Sequence, residues 1–151
     1  MSTMVVAQRV ALAKLIFQNI PMANIGDVTG LRGSSAAGKL YIGLAVGNPG
    51  AGDQSTNEVA YPGYARVGLD RDSTKWSVDG SGSVANLVDV LFPERTDADA
   101  AVTAAYVTVG TAASGAGSLL FVAPLDSPAS LSISQGVQPR IKAGSLTGTV
   151  S

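Results

Sequence analysis

The sequence contains neither cysteine nor histidine. Without thiols there is no disulfide framework, no thiolate nucleophile and no Cys-type zinc site. Without imidazole, the usual general base near neutral pH and the commonest metal ligand are both missing. Charge is scarce too: 14% of residues are charged and the net charge is −1, where about a quarter charged is ordinary. Such a surface neither steers towards nucleic acid nor repels its own copies. Aromatic residues make up 5%, with one tryptophan, too few for a base-stacking platform. No apolar run approaches the roughly 18 residues that span a bilayer. Arg9 and Lys14 interrupt the N-terminal apolar segment, so neither a membrane span nor a signal peptide is expected.

What is present is small and apolar: 46% hydrophobic residues and 18 glycines. A chain of 151 residues fits one domain, 1–151, and buries enough surface to need no staples. Residues 1–20 read as an amphipathic helix, with Val6, Val10, Ala13, Phe17 and Ile20 on one stripe. Ser2 or Thr3 is the candidate cap and Pro21 the stop. From Lys39 the period becomes two, Leu40, Ile42, Leu44 and Val46 on one face and Tyr41, Gly43 and Ala45 on the other. Further strand signals are 65–69, 75–78, 83–92, 104–110, 119–123, 129–135 (Ala129, Leu131 and Ile133 inward) and 145–150. The expectation is a mostly β protein: a single antiparallel β-sandwich over 39–150, jelly-roll-like, behind the helix.

Candidate chemistry fails on inspection. GSSAAGKL, Gly33–Leu40, fits a phosphate-binding loop except at its last position, where Leu40 has no hydroxyl for magnesium. A strand also follows it where a helix is required, so a flexible loop is expected. Asp97 and Asp99 lack the glycine and distal glutamate of a calcium loop, and a solvated loop is expected there. There is no G-x-S-x-G elbow, and a serine triad would lack its histidine. No catalysis, cofactor, metal or small-molecule substrate is expected. Trp76, alternating with Val78, reads as core.

NEVAYPGYARV, Asn57–Val67, has a clear local reading. Tyr61, Pro62, Gly63 and Tyr64 are the residues of a type II turn, Pro at the second position and Gly at the third. In the strand that follows, Ala65, Val67 and Leu69 point inward and Arg66 the other way. There its guanidinium pairs with a carboxylate, Glu58 being the nearest acid upstream, or caps backbone carbonyls.

Four stretches also resemble a known family: NIPMANIGD (19–27), LYIGLAVGNPGAGDQSTNEVAYPGYARVGLDR (40–71), VGTAASGAGSLLF (109–121) and GVQPRIKAGSLT (136–147). With the tryptophan after the second, they are similar, in order, to small tailed-phage virion proteins, commonly labelled tail fibre proteins. Departures are AVGNPG, where the family shows His-Thr, and the polar insert LFPERTDADAA (91–101). The resemblance implies a non-enzymatic virion structural protein, made in the host cytoplasm. The sequence has no heptad, triplet or other shaft repeat. The favoured location is therefore the capsid surface, as a decoration or cement protein on the major capsid protein; a tail fibre or adaptor is the alternative. The helix stripe must be covered by its own fold or by a neighbouring subunit, which makes Val6, Val10 and Phe17 candidate subunit contacts. Residues 1–50 carry a charge of +3 (four basic, one acidic) and 51–100 carry −5 (four basic, nine acidic). That asymmetry sets Arg9 and Lys14 beside acidic strands and favours homo-oligomers.

Overall fold

The computed structural model describes residues 3–151. The elements are α1 (Val6–Gln18), β1 (Lys39–Ala45), β2 (Val67–Asp70), β3 (Trp76–Val78), β4 (Ser83–Asn86) and β5 (Val90–Leu91). They continue with β6 (Val102–Ala104), β7 (Tyr106–Gly110), β8 (Leu119–Pro124), β9 (Leu131–Ile133), β10 (Arg140–Ile141) and β11 (Thr147–Thr149). The fold is mostly β, with antiparallel sheets behind one short N-terminal helix. The chain forms two compact units, each built from separated segments.

The first unit comprises residues 1–39, 70–89 and 142–151. Its sheet has the order β11-β4-β3, and α1 packs on β3 and β4. The helix is shorter than the 1–20 expected. Val5 stands at the N-cap without a side-chain hydrogen bond; Thr3 does not cap, and Ser2 lies outside the described residues. Asn19, not Pro21, ends it: Asn19 takes φ +57° and the Ile20 amide returns 3.2 Å to the Lys14 carbonyl, a left-handed C-terminal turn. The predicted stripe narrows to Ala13 and Phe17, both buried, while Val6 and Ile20 are exposed and Val10 half-buried. Phe17 meets the buried Trp76 edge-on, ring centroids 4.9 Å apart. Arg9 lies against Gly82 in the β3–β4 turn, where an added Cβ would sit 3.2 Å from the Arg9 Cβ; its Nε has no hydrogen-bond partner.

The second unit comprises residues 40–69 and 90–141. Its main sheet has the order β2-β1-β7-β8, with Ile42 opposite Val109 and Leu44 opposite Val107. The pairs β5–β10 and β6–β9 complete it. The core gathers Ile42, Leu44, Val59, Val90, Phe92, Ala104, Val109 and Ile133. Val46, expected to share a face with Leu40, Ile42 and Leu44, lies beyond the strand and is exposed, as is Ala129, expected inward, before β9.

Two predicted strands are each divided in two. Residues 83–92 break after Asn86, whose buried amide donates to the Val88 and Lys142 carbonyls and accepts the Leu146 amide. Those bonds satisfy a polar side chain only if the backbone turns there. Residues 104–110 break at Ala105, where the chain leaves its partner β9 and joins β1 and β8. The two-residue β10 gave no strand signal at all.

Candidate functional site

The turn at residues 61–64 is built as its composition dictates. Gly63 has φ +85°, the left-handed third position of a type II turn, and the Tyr64 amide donates to the Tyr61 carbonyl at 2.9 Å. The two tyrosine rings meet edge to face, centroids 5.4 Å apart, and Tyr64 stacks on Phe92. Tyr61 donates its hydroxyl to the Pro93 carbonyl at 2.6 Å, while the Tyr64 hydroxyl accepts the Leu44 amide of β1 at 2.9 Å. Gly43 leaves room for that hydroxyl: a Cβ there would lie 2.8 Å from the Thr108 hydroxyl and 3.3 Å from the Tyr64 hydroxyl. Burial disfavours the phenolate and raises the pKa of both phenols above the ordinary tyrosine value.

Arg66 is almost fully buried, and Ala65, expected inward, is the exposed one. The guanidinium grips Glu58 bidentately, Nε to Oε1 at 2.6 Å and Nη2 to Oε2 at 2.7 Å. Its remaining donors cap the carbonyls of Ala112 at 2.9 Å and Gly115 at 2.8 Å. One side chain thus ties the loop before the tyrosine turn to the glycine-rich turn between β7 and β8. Gln54, unnoticed in the sequence, completes the clamp. It is buried, accepts the Ala112 amide at 2.8 Å and donates to the Tyr41 carbonyl at 3.3 Å. Gly110 and Gly117 exist to admit it, since a Cβ at either would fall 2.1 Å from its amide.

Two further arginines do the same work and were not singled out from the sequence. Arg95, buried, holds Asp97 through Nε at 2.9 Å and Nη2 at 2.6 Å, and caps the Ala100 and Ile133 carbonyls. The polar insert is therefore anchored, and Asp97 is a partner of Arg95 whose carboxyl is held below the usual range by that guanidinium. Arg71, in the first unit, caps the Leu15 and Ile16 carbonyls in the last turn of α1 and reaches Ala37 at 3.1 Å. The 33–38 segment is fastened again by Asn19, whose Oδ1 accepts the Ser34 amide at 2.7 Å. What reads as a flexible loop is tied at both ends.

A second missed signal is Asp-x-Ser/Thr, which occurs at Asp27, Asp53, Asp72 and Asp79. Each aspartate accepts the hydroxyl and amide two residues on, closing a local turn. Those hydroxyl bonds, the largest cause in each case, hold the four carboxyls below the ordinary value. Among the described residues no three Asp or Glu side chains converge as metal ligands, and no helix is long and apolar enough to cross a membrane. Trp76 lies with Phe17 under α1, whereas Glu58, Tyr61, Tyr64 and Arg66 form one cluster in the second unit. Val6 is exposed and Val10 half-buried.

Polar side chains spent on the chain's own carbonyls, in loops between short antiparallel strands, define a structural module. A protein-family model described as the podophage GP4 fiber I protein gp80 matches residues 25–149. The chain belongs to that family, and is thus a phage structural protein of fibre type. The match begins after α1 and takes in the Arg66–Glu58, Gln54 and Arg95 clamps, but not Asn19 or the Leu15 and Ile16 carbonyls that Arg71 caps. A search of the curated proteins finds no match.

Proposed function

We propose that this chain is a non-catalytic component of a virion fibre, contributing a stiff β-module to an assembly with other virion proteins. The family match over residues 25–149 carries this reading. The clamps support it: guanidinium groups that cap loop carbonyls rigidify surfaces, and rigid surfaces suit permanent assembly. Capsid decoration, favoured by the sequence for want of any shaft repeat, is the second reading, and the family description shifts the weight from head to fibre. No nucleic acid, membrane or small-molecule substrate belongs to either.

The test is location. Virions are dissociated into heads and tail structures and the chain followed by mass spectrometry. Recovery with the fibre-bearing fraction is the expected result. Recovery with intact heads, in numbers matching the capsid subunits, would return the chain to decoration.

A further inference from the structure

We propose that α1 is a releasable strap: it undocks from β3 and β4 as a unit while the sheet beneath it stays folded. Among the described residues, two buried side-chain nitrogens have no hydrogen-bond partner, Arg9 Nε and Trp76 Nε1. One belongs to α1 and the other to the strand on which α1 packs. An unpaired buried donor disfavours the state that buries it. Both therefore weigh against the docked helix, and undocking returns Arg9 and the covered side of Trp76 to water.

The helix does little to hold itself. Val5 provides no side-chain cap, the first turn has no acidic residue and the last no basic one. Neither end is therefore complemented by charge. Its 13 residues are close to the length at which an isolated helix is marginal in water, about 12–15, so a released α1 unwinds. What fastens it is confined to its second half. Ala13 and Phe17 are buried, Gln18 donates to the Trp76 carbonyl at 2.8 Å, and Arg71 caps the Leu15 and Ile16 carbonyls. The sheet beneath has ties of its own. β4 is paired on both sides, and the Asn86 side chain bonds Val88, Lys142 and Leu146, none of them in α1. The family match over residues 25–149 also leaves α1 outside the shared pattern. The module can thus yield its N-terminal helix and keep the fold its family shares, wherever in the virion it resides.

Native-state hydrogen exchange of the full chain reads this. The amides of α1 should exchange as one group, at least about a hundredfold faster than those of β4 in the same unit, as befits a segment that opens on its own. Trp76 is the single tryptophan, so its indole N–H gives one isolated NMR signal, and that signal should exchange with the α1 group. Arg9→Met keeps the apolar stem and removes the unpaired donor. It should slow exchange of α1 about tenfold, equivalent to roughly 1.4 kcal/mol. The unmodified chain decides should Arg9→Met fail to fold. Exchange of α1 at the rate of β4, an indole that follows β4 and not α1, or α1 exchange untouched by Arg9→Met would each overturn the proposal.

Discussion

Arg66 donates to four oxygens on two separate stretches of chain while its own side chain is 1% exposed. Lysine has one ammonium centre and cannot reproduce that fork. Arg66→Lys should therefore lower stability by about 1–3 kcal/mol, the cost of buried acceptors left unmade, measured by urea denaturation. Melting together with wild type would show that the fork contributes nothing. Arg95→Lys should act more locally, speeding amide exchange across residues 95–100 and 133–137, where the Arg95 side chain bonds Asp97, Ala100 and Ile133 beside its backbone pairing with Gly136 and Val137. Exchange unchanged in both segments would contradict the anchoring role.

Among the elements, α1 and the divided strands show what a sequence discloses. The helix period located α1, but spacing alone could not tell which of five stripe residues would find a partner. Only Ala13 and Phe17 became fully buried and Val10 half-buried, on a helix that packs on β3 and β4. Phe17→Ala should cost about 3–5 kcal/mol through the cavity left against Trp76, and Val6→Ala, at an exposed site, within about 0.5 kcal/mol; parallel thermal melts compare them. Equal effects would mean the stripe is covered along its whole length. The breaks at Asn86 and Ala105 were illegible because they depend on partners 56–60 residues away or on a change of sheet. The Arg66–Glu58 pair was legible, its members eight residues apart across a recognisable turn. Arg95 was hidden in a polar insert, and its two carbonyl contacts come from folding alone.

For the molecule as a whole, the absence of histidine leaves no side chain whose ordinary pKa lies between pH 5 and 8. Asp27, Asp53, Asp72, Asp79 and Asp97 all have depressed folded-state values. Their contribution is complete above the unfolded carboxylate value, about 3.9, and is lost as pH falls through the lower folded values. Tyr61 and Tyr64 shift upward, so stability should also decline as pH rises past the unfolded tyrosine value, about 10. A plot of melting temperature against pH should be level through neutrality with a shoulder falling at each end; a step near pH 6.5 would contradict it. The two units have a further consequence in their threading. The chain passes from one to the other between residues 39 and 40, 69 and 70, 89 and 90, and 141 and 142. All four passages fall within β1 and β2 or at the ends of β5 and β10. The units are thus joined covalently at four places, so no single break in the backbone separates one from the other.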